Sequence, residues 1–195
     1  MTPITIPMSN PDLSDAERQA VMEVLQTPML SMGPRIQAFE QAFQHYTGLP
    51  HAVAVNSGTA GLHLCVRAAD IGLGDLVITS PFSFVASTNV LLFEQATPIF
   101  VDVDPRTGNL DVSQVAEAAR DLTQGGAAAE RWLPRLGAPK HGRLRAILGV
   151  DVFGQPADWD ALRAIAQTYN LALIEDSCED RKSTRLNSSH RIRCR

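Results

Sequence analysis

The chain contains little cysteine and no long apolar run. Its three cysteines are an odd number at no metal-ligand spacing, which argues against a disulfide framework and a zinc site: Cys65, Cys178 and Cys194. No stretch of about 18 apolar residues occurs, and the N-terminus lacks the basic and apolar segments of a secretory signal. We therefore expect a cytoplasmic protein with reduced thiols, no membrane span and no bound metal.

Positive charge is scarce over most of the chain. The 195 residues have a formal net charge of −4, but six of the 17 basic side chains fall in residues 180–195. Residues 1–179 hold 11 basic and 20 acidic side chains, a formal charge of −9, which would repel nucleic acid. We expect no nucleic-acid partner.

The basic tail at residues 180–195 has two interpretations. A basic arm on an acidic domain is typical of an RNA- or DNA-binding segment. Residues 180–190, however, resemble the in-frame translation of a short-read sequencing adapter, and they begin abruptly after a predicted strand. We therefore interpret residues 180–195 as an artefact outside the fold. Residues 1–179 are interpreted as part of one large domain, and the natural gene is expected to be longer than this sequence.

Two amphipathic helices are predicted near the N-terminus. The first spans residues 14–27, where a serine and a glutamate have the capping-box spacing ahead of an apolar stripe. The second spans residues 34–47, because Pro34 suits a first helical turn and Gly48 can end a helix. Both are expected at the surface.

Beyond residue 50, short apolar runs alternate with longer amphipathic ones. Five apolar runs predict strands at residues 51–55, 75–79, 97–103, 144–152 and 171–176. The segments between them are long and periodic enough for helices. Strands separated by helices pair in parallel through right-handed crossovers, so we expect an α/β fold, a three-layer α/β/α domain with a mostly parallel sheet.

Residues 123–143 interrupt this alternation with a long connection that is rich in glycine, alanine and proline. An exposed insertion is the favoured interpretation, because connections of this length are often merely tolerated. A lid over a functional site is the alternative, since functional residues are frequently carried on loops.

The first candidate site is the polar turn after residues 51–55. Backbone N–H groups and the hydroxyls of Ser57 and Thr59 converge there at the positive end of a helix dipole. The turn lacks the lysine and glycine spacing of a P-loop and the three glycines of a dinucleotide fingerprint, so a phosphate monoester is the natural ligand. An ordinary helix cap with Gly58 as turn glycine would have the same sequence.

A second anchor follows the strand predicted at residues 171–176. It ends in Glu175 and Asp176, whose side chains point to opposite faces by strand alternation. Asp176 could bind a metal, act as a base, hold a cationic ring nitrogen or cap the next helix. Combined with a phosphate turn at another strand end, it suits a small rigid cofactor with the shape of pyridoxal phosphate.

Other strand ends carry further candidates. Phe82 and Phe84 follow a proline turn, where an aromatic ring could stack on a flat cofactor, with core packing or a hydrophobic staple as the alternative. Asp151 and Gln155 lie near the same rim, although turn chemistry alone explains that segment. The remaining candidates are interpreted as turn or packing residues: Asp102, Asp104 and His63.

Six segments, in this order, resemble the DegT/StrS-type sugar aminotransferase family of fold-type-I pyridoxal phosphate enzymes: GPRIQAFEQAFQHYTG, NSGTAGLHL, GDLVITSPFSFVASTN, ATPIFVDVDPRTGNLD, VDVFGQPADWDAL and LALIEDSCE. The resemblance covers about residues 4–179 and implies the large domain of that fold. The family uses pyridoxal 5′-phosphate (PLP) to aminate keto groups on nucleotide-linked sugars, usually with glutamate as donor. Its members are homodimers, and the implied context is amino-sugar and cell-surface polysaccharide biosynthesis.

The resemblance also implies a set of cofactor-binding residues: Ser57, Gly58, Thr59, Phe84, Asp176 and Glu179. Gly58 and Thr59 would contact the cofactor phosphate. Phe84 would stack on the pyridine ring, and Asp176 would pair with the ring nitrogen, whose protonated form a carboxylate stabilises.

The resemblance places the family's cofactor-carrying lysine beyond residues 171–176, in a motif like SFxxxK that this chain does not contain. The only lysines here are Lys140 and Lys182, and neither is assigned a role. We therefore predict no catalytic residue and expect an inactive N-terminal fragment of an aminotransferase. The alternatives are a PLP- or PMP-dependent sugar 3-dehydratase of the same family and a non-catalytic binding or regulatory protein on this fold.

Overall fold

The computed structural model describes residues 11–135, 142–178 and 191–194. These fall into two units, Met1–Ala54 and Val55–Arg195. The first unit contains helices α1 (Asp15–Leu25) and α2 (Pro34–Thr47). The two helices lie within the predicted spans, and none of their residues is buried within the structure described.

Local sequence signals set the ends of both helices. The Ser14 hydroxyl accepts the Ala16 N–H at 3.2 Å, and the Glu17 carboxylate accepts the Ser14 N–H at 2.7 Å, which completes a capping box. Pro34 begins α2, and Gly48 ends it in the left-handed region at φ 68°. The predicted capping residues therefore have the predicted roles.

The second unit is built on a sheet of five parallel strands in the order β2-β1-β3-β4-β5. The strands are β1 (Asp75–Thr79), β2 (Thr97–Phe100), β3 (Arg143–Val150), β4 (Ala172–Asp176) and β5 (Arg191–Cys194). The helices are α3 (Gly58–Ala68), α4 (Ala86–Phe93), α5 (Val112–Gln124), α6 (Gly126–Glu130) and α7 (Trp159–Tyr169). The predicted parallel α/β architecture is confirmed.

Helices cover both faces of the sheet, because alternate strand residues point to opposite sides. Helices α3 and α4 pack through an apolar cluster on one face: Leu62, Val66, Val77, Val90, Leu91, Leu148 and Ile174. Helices α5 and α7 pack on the other: Ile78, Ile99, Val115, Leu122, Ile147, Trp159, Leu162 and Leu173. The unit is thus the three-layer α/β/α domain expected from the sequence.

One predicted strand is wrong. Residues 51–55 are not in a strand, although their composition suits one. The side chain of Val53 is 75% exposed, and the Ala54 N–H donates to Oε1 of Glu40 at 2.8 Å. An apolar run forms a strand only where a neighbouring strand edge accepts its backbone hydrogen bonds, and here a side chain takes that role.

The connection at residues 123–143 is anchored at its start. Asp121, at the end of α5, accepts hydrogen bonds from Nε1 of Trp132 at 3.0 Å and Nε of Arg131 at 3.0 Å. The Arg131 guanidinium lies 4.8 Å from the centre of the Trp132 ring. This first part is therefore fixed to α5 by a buried carboxylate. None of residues 123–135 is itself buried, which agrees with the favoured prediction of an exposed insertion for this described part. Lys140 lies outside the described residues.

Residues 180–195 are predicted from the sequence to lie outside the fold, because part of this tail resembles an adapter. In the structure, residues 191–194 of the tail form the edge strand β5. Its backbone pairs in parallel with β4, with Leu173 opposite Arg191 and Asp176 opposite Cys194. The physical reason is that β4 would otherwise present a row of unpaired N–H and C=O groups on that side. Lys182 and Glu179 lie outside the described residues.

Candidate functional site

The candidate site is a cavity of about 520 Å³ at the carboxyl ends of the strands. Parallel α/β sheets bind their ligands at this edge. The cavity is surrounded by residues at or just beyond the ends of β1, β3 and β4, by the first two turns of α3 and by the start of α4: Gly58, Thr59, Leu62, Pro81, Phe82, Ser83, Phe84, Ala86, Val150, Val152, Phe153, Asp176 and Cys178. The lining is mainly apolar, and among the described residues it contains a single carboxylate, that of Asp176.

The first turn of α3 forms one side of the cavity. Gly58 and Thr59 line it, and both belong to the positive end of the helix dipole, where backbone N–H groups favour an anion. The Ser57 hydroxyl accepts the Ala60 N–H at 3.2 Å, so Ser57 is the N-cap of this helix. The helix-cap interpretation is therefore confirmed for Ser57, and the anion-site interpretation of the turn stays a prediction.

Gly58 is required by close packing at this turn. A Cβ atom on Gly58 would lie 2.8 Å from Sγ of Cys178, which follows β4. Real Cβ atoms essentially never come so close to a neighbouring atom. The absence of a side chain thus lets the start of α3 approach the end of β4, and it keeps the helix N-terminus open to the cavity.

Asp176 places its carboxylate on the α3 and α4 side of the sheet. The Ser87 hydroxyl donates to Oδ2 at 2.9 Å, and the Cys178 N–H donates to Oδ1 at 3.3 Å. Only 6% of Asp176 is exposed, and Ser87 is fully buried. Each carboxylate oxygen has two acceptor positions, so the group can accept a further N–H donor from a ligand in the cavity.

Aromatic side chains surround the mouth of the cavity. Phe84 is 74% exposed, so its ring is not part of the core. Phe82 packs edge-to-face on Phe153, with ring centres 6.0 Å apart. The core-packing alternative for Phe84 is therefore excluded, and an open aromatic face is available at the cavity.

A separate buried polar cluster occupies the other side of β4. Oδ1 of Asp151 accepts hydrogen bonds from the Ala157 N–H at 2.9 Å and from Nε1 of Trp159 at 2.8 Å, and Oδ2 accepts the Ser177 hydroxyl at 2.7 Å. Ser177 also contacts Oε1 of Glu175. Asp151 therefore holds the segment after β3 in place and does not line the cavity. Glu175 and Asp176 point to opposite faces, as predicted.

Residues 11–187 match the sequence profile of the DegT/DnrJ/EryC1/StrS aminotransferase family. The chain belongs to this family. The curated Bacillus subtilis (strain 168) protein SpsC, named for spore coat polysaccharide biosynthesis, is 37% identical over 172 residues, which are 88% of this chain and 39% of SpsC.

Solved structures agree with the family assignment. An aminotransferase from Psychrobacter cryohalolentis is 31% identical with a TM-score of 0.73, over 91% of this chain and 40% of that one. A Streptococcus pneumoniae protein solved in a PLP form is 25% identical with a TM-score of 0.72, over 89% of this chain and 43% of that one. The chain thus has the fold of the PLP-dependent aminotransferases of fold type I and spans about 40% of its relatives' length.

The structure brings together most of the cofactor-binding residues expected for a DegT/DnrJ/EryC1/StrS protein. Four of them line the same cavity: Gly58, Thr59, Phe84 and Asp176. Ser57 caps α3 beside them, and Glu179 lies outside the described residues. These roles toward a cofactor stay predictions.

The other candidates have structural roles in this family member. His63 binds Oε1 of Glu94 through Nε2 at 2.6 Å and does not line the cavity. Oδ1 of Asp104 accepts the Arg106 N–H at 2.9 Å within a turn, and the Arg106 side chain lowers the pKa of Asp104 to about 2. Both agree with their interpretation as packing and turn residues.

Sequence reasoning missed Ser87, the buried partner of Asp176, and Cys178, which lines the cavity beside Gly58. Ser87 could have been found as a polar residue on the apolar face of the helix after β1.

The described ranges contain no group of three or more His, Cys, Asp or Glu side chains placed to hold a metal ion. Among the same residues, no helix has the length and hydropathy to cross a membrane.

Proposed function

We propose that this chain is the cofactor-binding part of a PLP-dependent aminotransferase that acts on a keto group of a nucleotide-linked sugar, with glutamate as amino donor. One observation carries the proposal. The N-terminus of α3, the exposed ring of Phe84 and the buried carboxylate of Asp176 converge on one cavity at the carboxyl edge of the sheet. Family membership and the polysaccharide role in the name of SpsC support it.

The residues present fit PLP. The helix start at Gly58 and Thr59 suits a phosphate, because the N–H groups of a helix's first turn point toward its N-terminus and the helix dipole favours an anion there. Asp176 suits a protonated ring nitrogen, since its carboxylate is fixed, buried and able to accept another donor. Bound there, PLP would supply an electron sink for amino-group transfer.

The chain's own residues would bind, orient and shield the cofactor. Asp176 would hold the proton on the ring nitrogen, because an adjacent carboxylate favours the cationic form. Anchors at the two ends of the ring, Thr59 and Asp176, would fix its orientation. The apolar residues of the lining, Leu62 and Val152 among them, would exclude water and strengthen these contacts.

We further propose that this chain alone does not transfer amino groups. Its two lysines lie outside the described residues, and neither belongs to a motif like SFxxxK. The complete enzyme would be a cytoplasmic homodimer in amino-sugar and cell-surface polysaccharide biosynthesis.

Cofactor binding is the first test. Pyridoxamine 5′-phosphate (PMP) is the probe, because it is fluorescent and, lacking an aldehyde, cannot react with surface amines. We expect saturable binding, weakened about 10- to 100-fold by Asp176→Asn, since a hydrogen bond to a charged group is lost. Asp160→Asn, on the exposed side of α7, is the matched control and should leave binding unchanged. Pyridoxamine without its phosphate should bind more weakly than PMP.

Two results would contradict the proposal: no saturable binding of PMP, or equal binding by the wild-type and Asp176→Asn chains.

The substrate is tested on the complete gene product with glutamate and a nucleotide-linked keto sugar. An aminated sugar and 2-oxoglutarate should form in equal amounts, and the present chain alone should form neither.

A further inference from the structure

Phe153 has an unusual backbone conformation at the mouth of the cavity. It lies in the short 3-10 turn Val152–Gly154, and its φ of 53° and ψ of 26° are in the left-handed region. Bulky residues avoid this region because Cβ approaches the following carbonyl oxygen. Yet Phe153 is 83% exposed, so burial of its ring in the core does not offset the strain. Another part of the structure must hold the turn.

Asn109 provides that support from the loop that follows β2. Its Oδ1 accepts the Val152 N–H at 3.1 Å, and its Nδ2 donates to the Gln155 carbonyl at 2.8 Å. One side-chain amide thus binds the main chain on both sides of Phe153. Asn109 is 3% exposed, and its main-chain carbonyl accepts the Asp104 N–H at 2.9 Å. The backbone from which the side-chain amide extends is therefore fixed in place.

The flanks of the turn are also fixed. Asp151 precedes it and is buried, with its carboxylate bound to Ala157, Trp159 and Ser177. A strained residue persists only where its surroundings determine the conformation, and such residues cluster at ligand sites. Here the determined conformation directs Phe153 toward Phe82 and the cavity lining.

We infer that Asn109 is a positioning residue: by clamping the turn Val152–Gly154 it holds the Phe153 ring at the cavity, where the ring contacts the flat cofactor. Asn109 itself does not line the cavity, so its effect on binding passes through the turn that it clamps, in which both Val152 and Phe153 line the cavity. The contribution of the Phe153 ring is separated from that of Val152 by removal of the ring. The inference rests on the proposed function, because it takes PLP or PMP as the occupant.

A double-mutant cycle on PMP binding tests this route. Phe153→Ala should weaken binding about 2- to 10-fold, the range of an aromatic contact, and Asn109→Ala should weaken it to a similar degree. In the Phe153→Ala background, Asn109→Ala should have no further effect. Asn170→Ala is the matched control: Asn170 also has a positive φ, of 53°, but it ends α7 at the opposite end of β4. It should lower stability without changing binding.

A merely structural role for Asn109 would weaken binding by the same factor in both backgrounds, and that result overturns the inference. Asn109→Asp keeps an acceptor for the Val152 N–H, and it replaces Asn109→Ala if that variant does not fold. If wild-type PMP binding is sensitive to Asp176→Asn but to neither Phe153→Ala nor Asn109→Ala, the proposed function survives and the inference fails. No binding by the wild type overturns both.

A ligand-free measurement tests the clamp by itself. The chain has seven phenylalanines, so incorporation of 4-fluorophenylalanine gives a tractable ¹⁹F NMR spectrum. The Phe153 resonance is assigned by its loss in Phe153→Leu. Asn109→Ala should shift or broaden that resonance, whereas Asn170→Ala should not. An unchanged Phe153 resonance in Asn109→Ala overturns the inference whatever the binding data show.

Discussion

The Ser87 hydroxyl donates a hydrogen bond of 2.9 Å to Oδ2 of Asp176, although the two residues are 89 positions apart in the chain. Ser87 lies on α4, which packs on the sheet face that Asp176 faces. The bond therefore fixes the carboxylate at the cavity by means of a helix that is separated from β4 in the chain by β2, α5, α6, β3 and α7.

Ser87→Ala should lower both stability and cofactor affinity. Removal of the hydroxyl leaves Oδ2 of buried Asp176 without this donor, which costs about 1–3 kcal/mol in the free energy of unfolding. Urea unfolding measures that loss, and PMP titration should show weaker binding. Ser113→Ala is the control, because Ser113 is in the exposed first turn of α5 and bonds Asp111 instead. Wild-type stability in Ser87→Ala would show that the bond contributes nothing.

Gly58→Ala should impair the phosphate turn through a steric conflict with Cys178. The new Cβ would lie 2.8 Å from Sγ of Cys178 but 3.9 Å from its Cβ. Cys178→Ala removes only the sulfur, so the double variant should recover most of the stability and PMP affinity that Gly58→Ala loses. Thermal unfolding and PMP titration of the four chains measure this. If the two substitutions have additive losses, Gly58 is needed for a reason other than its contact with Cys178.

Local patterns predicted the strands because each buried strand is an apolar run between turn signals. β1 begins and ends where the sequence predicts, at Asp75 and Thr79. Parallel pairing then follows from the intervening helices, and with it the convergence of Thr59 and Asp176 at one edge. Residues 51–55 have the same composition but no strand partner, and a single sequence contains no information on whether a partner edge is free.

Contacts between distant segments were not predictable in the same way. The bond from Ser87 to Asp176 and the clamp from Asn109 to the turn of Phe153 each join residues more than one element apart. The pattern of α4 marks Ser87 as a polar residue on an apolar helix face, but neither its spacing nor that of Asn109 indicates which distant residue is the partner. The left-handed conformation of Phe153 is also invisible in the sequence, because propensity alone would assign a glycine or asparagine there.

Asp121 should make the start of the 123–143 connection sensitive to acid. The hydrogen bond from Trp132, together with Arg120 and Arg131, lowers the pKa of Asp121 from 3.8 to about 2. A carboxyl whose pKa is lower in the folded chain stabilises the fold above its unfolded pKa. That contribution is complete above about pH 5 and is lost as the pH falls from 3.8 toward 2.

The comparison of wild type with Asp121→Asn isolates this effect. Urea unfolding at several pH values should show a constant stability deficit for Asp121→Asn above about pH 5, which shrinks between pH 4 and 2 as Asp121 itself protonates. Tryptophan fluorescence should shift in Asp121→Asn at neutral pH, because Nε1 of Trp132 loses its charged acceptor. A deficit that stays constant down to pH 2 would contradict the lowered pKa.

Phe84 should contribute to cofactor affinity and almost nothing to stability. Because Phe84 is 74% exposed, Phe84→Leu should change the free energy of unfolding by no more than about 0.5 kcal/mol. The same substitution removes an aromatic face at the cavity, so PMP binding should weaken about 2- to 10-fold. Phe84→Trp keeps a flat ring and should retain affinity, which separates stacking from simple apolar contact. Equal PMP affinity of Phe84→Leu and wild type would mean that the Phe84 ring does not face the cofactor. The aromatic contact would then come from Phe82 or Phe153.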